Sequence, residues 1–229
     1  NQSRFSVPTS SGGQLVNTRR IGAAPDAGPE GATDIDLALK YTGGRGRAEW
    51  GLLAATEDDS SLATGREFGL LRARWRGSQG GIGYLGTRVD RPTLARIAQV
   101  HALDGQWYPV AGLSLRGQAI HSRIDQDPVP ANGARALGQG GQGAWLRADY
   151  AHGRRLLQRL EVSHYDRGFQ INDLGYMRRN DLRELLSATT LYTRNYPASS
   201  RLQSSSWQVE GLWRGNLDGD RLHGSLQLG

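Results

Sequence analysis

At 229 residues the chain has room for one all-β domain or two small ones. With no cysteine, disulfides and thiolate metal sites are excluded. The net charge of +6 rests on basic residues that are almost all arginine and are scattered along the chain, with no dense basic block of the kind a nucleic-acid site would use.

Hydrophobic residues make up 37% and mean hydropathy is −0.56, yet six Trp, eight Tyr and regular apolar spacing argue against disorder. No run of 18 apolar residues is present, so no transmembrane helix is expected. Strands can still cross a bilayer, because alternation halves their apparent hydropathy. The chain opens without an initiator Met and closes inside a strand-like run, so a fragment of a longer protein is expected.

Residues 1–13 are polar and irregular, and 14–20 predict a short strand. Residues 22–31 are a Gly/Pro/Ala-rich loop. Over 34–41, Ile35, Leu37, Leu39 and Tyr41 share one face and Asp34, Asp36 and Lys40 the other, the period of two that a strand needs. A tight turn at 43–46 leads to a return strand over 48–56, and 57–65 is a longer polar loop. In 68–76, Leu71, Ala73 and Trp75 oppose Arg72, Arg74 and Arg76. A turn at 77–81 and a strand over 82–89 precede a loop at 90–96 that contains Pro92.

Strands over 97–108 and 113–124 flank a turn at 109–112. Leu113, Leu115 and Ala119 oppose Ser114, Arg116 and Gln118. A long loop at 125–141 precedes a hairpin of 142–150 and 156–165 about a turn at 151–155. There Leu146, Ala148 and Tyr150 oppose Trp145, Arg147 and Asp149, so that Arg147 and Asp149 can meet Arg159 and Glu161 across the pair. The polar, turn-rich stretch 166–181 follows. Strands over 182–195, 203–214 and 221–228 bring the total to about twelve. A helical turn over 181–188 competes weakly with the strand-like Thr-Thr-Leu-Tyr-Thr that follows.

Three patterns point to a transmembrane, antiparallel up-and-down β-barrel. Short turns alternate with long loops, as in outer-membrane barrels. Most strands run about nine to twelve residues, long enough to cross hydrocarbon when tilted. Tyr41, Trp75, Trp107 with Tyr108, and Tyr150 precede the short turns, at the level of an interfacial girdle. In such a barrel Arg72, Arg74, Arg76, Arg116, Arg147, Asp149, Arg159 and Glu161 line the lumen, and Arg72, Arg74, Arg76 and Arg116 bias it toward anionic solutes. The competing reading is a soluble barrel or sandwich with those charges in solvent.

The motifs with chemistry are weak. Gly81/Gly83/Gly86 and Gly138/Gly140/Gly143 match G-x-G-x-x-G, but the first lies within a strand and the second leads into one, so neither opens a helix onto a pyrophosphate. Asn216-Leu-Asp218-Gly-Asp220 resembles the start of a calcium loop, yet position twelve is Gln227, and Asp218-Gly219 reads better as a hairpin turn. The five histidines lack metal-ligand spacing. Ser163 and His164 are adjacent on a strand and point to opposite faces, which is wrong for a nucleophile–base pair. His121 with Asp125 and Asp127 is a thin candidate for a metal. No catalytic, cofactor or metal residue is therefore assigned, and no cofactor is expected.

The runs LVNTRRIGAAP (15–25), DIDLALKYTG (34–43), AATEDD (54–59) and FQINDLGYMRRNDLR (169–183) together resemble a bacterial family of large outer-membrane proteins. Its members carry an N-terminal domain similar to family 9 carbohydrate-binding modules, followed by an uncharacterised outer-membrane β-barrel domain, and only that barrel domain matches. The resemblance implies a single domain over 1–229, with a strand and loop over 1–31 and the meander over 32–229. It implies the outer membrane of a Gram-negative bacterium, lipid as a partner, and a link to glycan binding or uptake through a pore, transport or anchoring module. It carries over no catalytic residue and no nucleic-acid partner.

Two other functions remain open at this point. One is an outer-membrane hydrolase with His164, Asp166 and Asp173 at a loop rim; the other is a soluble carbohydrate binder using Trp145 or Trp207. Within 166–181, Gly175 is expected to supply a bend, with Asp173, Arg178 and Arg179 tying it to its neighbours through charged hydrogen bonds.

Overall fold

The computed structural model describes residues 5, 7, 9–28, 31–126, 139–194, 196 and 199–229. Eleven strands follow one another: β1 (Ile35–Arg45), β2 (Ala48–Glu57), β3 (Glu67–Gly77), β4 (Gly80–Arg91), β5 (Arg96–Trp107), β6 (Leu113–Gln126), β7 (Gln139–His152), β8 (Leu156–Tyr165), β9 (Leu182–Thr193), β10 (Ser205–Gly215) and β11 (Arg221–Leu228). They form one antiparallel sheet in the order of the chain, each strand paired to the next. The fold is all-β and a simple meander.

Alternation sets the two faces. In register, Tyr41 lies opposite Leu52, and Leu52 opposite Leu71. Trp75 lies opposite Ile82, and Leu146 opposite both Gly117 and Val162. These side chains point away from the core: Leu37 is 65% exposed, Leu71 48% and Leu146 54%. The other phase of each strand is inward. In the central strands its half nearer the long loops is mostly apolar and buried, with Phe68, Leu70, Leu85, Val100 and Ile120 among its residues.

Among the described residues no second sheet covers that buried half. Two irregular segments do: Phe5, Val7, Leu15 and Val16 near the N-terminus, and Phe169, Ile171 and Leu174 between β8 and β9. They are joined to each other by a β-bridge between Gln14 and Tyr176. The core they share with the sheet takes residues from β2, β3, β4, β5, β6, β8 and β9. The Lys40 ammonium of β1 sits 5.4 Å from the Phe5 ring, while Ser10 Oγ is 2.6 Å from the Tyr165 hydroxyl of β8.

Several expectations change. Residues 14–20 are not a strand: Gln14 makes one bridge, and Thr18–Arg20 is a 3-10 turn capped by the Asn17 side chain. The eleven strands fall short of the expected twelve by that one. The loop at 90–96 shrinks to 92–95, because Asp90 and Arg91 still pair with Ile97 and Arg96. Pro92 starts a 3-10 turn there, and Ala95 takes a left-handed φ of 46° to reverse the chain. β6 and β7 extend into the loop at 125–141, whose residues 127–138 lie outside the described residues, as does Gly138 of the second glycine motif. Residue 195, once placed in a strand, lies outside them too. Residues 182–188 are strand, without a helical turn.

The loop rhythm fails between β4 and β5, where four residues join the strands against five between β5 and β6, and it reverses after β9. Two residues join β1 to β2, with Gly46 at φ 59° where a side chain would be strained. At that same end of the sheet β9 and β10 are joined by residues 194–204, while β10 turns tightly into β11 at the other end through 216–220.

Candidate functional site

The inward half nearer the short turns is polar, and its charges form a ladder. Arg72 of β3 grips Asp104 of β5 with both terminal nitrogens, at 2.5 and 2.8 Å. Arg76 reaches Glu49 at 3.0 Å. Arg116 and Arg159 share Asp149, at 3.1 and 2.7 Å. Arg147 pairs with Glu161, while Arg214 pairs with Glu184 near the long-loop end of β9 and β10. Strand register produces this order. Arg116, Arg147 and Glu161 stand in one cross-strand row, and Ser114, Asp149 and Arg159 in the next. Direct and diagonal neighbours of opposite charge can then meet.

Arg72, Arg74, Arg76, Arg116, Arg147, Asp149, Arg159 and Glu161 share the phase opposite the exposed leucines. Arg74 is the one for which the described residues offer no carboxylate partner. Beside it, Trp145 Nε1 donates to Gln118 Oε1 at 2.9 Å. Arg74, Arg76, Arg116, Arg147, Gln118 and Trp145 are among the walls of a cavity of about 530 Å³, with Val7 and Thr9 of the N-terminal segment at one side.

A second charged cluster sits at the long-loop end and ties loops together. Asp173 accepts from Arg96 at 3.0 and 2.8 Å and from Arg91 at 3.0 Å. Arg91 also binds Asp26, which lies 3.7 Å from Arg66. Arg66 in turn holds Glu57 at 2.5 Å, and Glu57 accepts from the Gly22 amide at 2.7 Å. Burial pushes the Asp173 carboxyl up, but hydrogen bonds and charge from Arg96 and then Arg91 outweigh it and hold it below the usual carboxylate range.

Within 166–181 the roles differ from expectation. Asp173 does tie the stretch to its neighbours. Arg178 and Arg179 are exposed, and Arg179 acts on Asp181 only through its charge. The tying guanidiniums belong to Arg91 at the end of β4 and Arg96 at the start of β5. Gly175 is needed for close approach: a Cβ there would lie 2.7–2.9 Å from the carbonyl oxygens of Gln14, Ile171 and Leu15.

The remaining candidates are dispersed. His164 Nε2 is 3.0 Å from Asp166 Oδ1, while Ser163 is buried on the opposite phase. Asp166 also accepts from the Gln142 amide, and the Asp173 carboxylate is occupied by its two arginines. His121 stands across from His101, whose Nδ1 is 2.7 Å from the Tyr84 hydroxyl. Asp125 pairs with Arg123, and Asp127 lies outside the described residues. Gly81, Gly83 and Gly86 are all within β4. Asn216 and Asp220 close their turn by mutual side-chain bonds, with Gly219 at φ 95°. Trp145 points inward and is half-buried, whereas Trp207 is exposed on the outer face.

Comparison with protein-family models, with curated proteins and with solved structures finds no match.

Sequence reasoning missed Glu49, Asp104, Asp26 and the Arg91–Arg96 pair. Asp104 was within reach: Ala98, Val100, Ala102, Asp104 and Gln106 keep one phase of β5. Asp26 carried no periodic signal at all, because it lies in an irregular loop.

Proposed function

We propose that this sheet is the wall of a membrane-spanning β-barrel domain in a Gram-negative outer membrane. Its role is that of a pore, transport or anchoring module tied to glycan binding or uptake. One observation carries the reading. The phase bearing Leu37, Leu39, Leu71, Leu103 and Leu146 is exposed across successive strands, while the opposite phase takes the arginines and carboxylates.

Soluble monomers rarely expose a contiguous apolar patch beyond a few hundred Å². A strand of eleven residues such as β3 is about 36 Å long, and tilted by ~45° it rises about 26 Å, close to the height of an outer-membrane apolar band. Tyr41, Trp75, Trp107 and Tyr150 are exposed close to the short turns, where interfacial rings would sit. The interior half-filled by the N-terminal segment and by 166–181 fits a plugged barrel better than an open channel. The family resemblance of 15–25 and 169–183 supports the same location.

The test is reconstitution. The chain refolded from denaturant in the presence of phospholipid vesicles should float with them and show protease-protected β-structure. A monodisperse folded monomer in detergent-free buffer would overturn the reading.

A further inference from the structure

Resting on the reading of the charged face as a barrel interior, we propose that the cavity beside Arg74 and Gln118 is a binding site for a small oxyanion. Its ligand is a sugar-sized solute carrying a carboxylate or a phosphate.

The first ground is the hydrogen-bond inventory. Arg72 Nε, Arg116 Nε and Gln118 Nε2 are buried and have no partner among the described residues. All three are donors, and burying a donor unpaired is costly. Gln118 cannot turn its amide to relieve this, because its Oε1 already accepts from Trp145 Nε1. Nor can Arg72 swing away, because Asp104 holds both its terminal nitrogens. Its guanidinium lies over Gly83, where a Cβ would come within 2.6 Å of Arg72 Nη2. The site is thus built around fixed donors, and what matches them is a group that only accepts.

The second ground is charge. Five arginines border the cavity and Asp104 is the single carboxylate among its walls. Glu49, Asp149 and Glu161, one step back, neutralise Arg76, Arg116 and Arg147. Arg74, with Glu49 opposite it in register, has no carboxylate within ion-pair distance among the described residues; it is half-buried and faces the same space. A guanidinium with no protein partner is suited to take a carboxylate or phosphate in bidentate fashion.

The third ground is size. A volume of about 530 Å³ falls in the range of small-molecule sites. Val7 and Thr9 close one side, so a ligand here would lie between the strand wall and the N-terminal segment.

The test uses the full chain in detergent micelles, with D-glucuronate, D-glucose 6-phosphate and D-glucose titrated by calorimetry at low salt. At least one of the two anions should bind, with glucose at least tenfold weaker. Glucuronate alone binding assigns a carboxylate, and glucose 6-phosphate alone a phosphate. R74Q and Q118L should each weaken the anion about tenfold, while R214Q, which lies outside the cavity, should not. Should R74Q fail to fold by circular dichroism, R74K carries the comparison. Three sugars that bind equally, none that binds, or cavity variants that bind as the wild type would overturn the site. Vesicle flotation is scored separately. Anion binding without flotation removes the membrane reading and keeps the site, whereas flotation without binding does the reverse.

Discussion

Asp173 and Arg96 meet through two parallel hydrogen bonds, Nε to Oδ1 at 3.0 Å and Nη2 to Oδ2 at 2.8 Å, across 77 positions of sequence. Both side chains are largely buried, and Arg91 adds a third bond from the end of β4. The pair fastens the segment between β8 and β9 to the turn between β4 and β5. Asp173→Ala leaves two guanidiniums facing an empty place and should cost about 3 kcal/mol. Arg179→Ala, at an exposed position, should stay within about 0.5 kcal/mol. Denaturant unfolding of the two variants side by side checks both.

Acid should loosen the same joint. The Asp173 carboxyl is held below its ordinary value in the folded chain, so its contribution is fully present above the usual carboxylate pKa of about 3.9. It is lost as pH falls through the lower, folded value. Pepsin nicking within 166–181 should therefore rise at the acid end in the wild type. Asp173→Asn has no carboxyl to titrate and should lack that component, being equally accessible across the range.

Gly175→Ala tests the contact between the two interior segments. The added methyl would press on three backbone carbonyls, none of which is the end of a flexible side chain. Relieving it means parting Gln14 from Tyr176, whose amides and carbonyls pair at 2.8 and 2.7 Å. A loss of about 1–3 kcal/mol is expected, the range for overpacking. Proteolysis of the N-terminal segment should accelerate before the sheet itself unfolds.

Leu71→Arg probes the outward phase. If lipid covers this face, an arginine near mid-height should cost about 2–4 kcal/mol, read from denaturant unfolding out of vesicles. Loss within about 0.5 kcal/mol, the usual size for a water-exposed position, would count against lipid contact.

The strands were legible because alternation is a local property. The Leu71, Ala73, Trp75 phase of β3 can be read without knowing any partner. The interior was not legible for the opposite reason. Phe5, Val7, Leu15 and Val16 lie in irregular chain, and nothing nearby says that strands far along the sequence will bury them. Arg91 looked like a polar loop residue, since its partners Asp26 and Asp173 are 65 and 82 positions away. Arg178 and Arg179 suggest themselves as ties for the bend because they are close in sequence. Distant guanidiniums do that work, and the near ones face solvent. The arginine ladder falls between these cases. Its face was readable, but Asp104 was overlooked where β5 passes from buried small residues to charge.

The strand count has a geometric consequence. Every connection reverses the chain, so odd-numbered strands all run one way and even-numbered strands the other. The described residues hold eleven strands, an odd number, and β1 and β11 are therefore co-directional. Laid edge to edge, they would make a parallel seam in a sheet that is otherwise antiparallel throughout. A ring of purely antiparallel strands contains an even number. The wall proposed here thus calls for at least one counter-running strand between β1 and β11, with its apolar phase turned outward to continue the row that Leu37 begins.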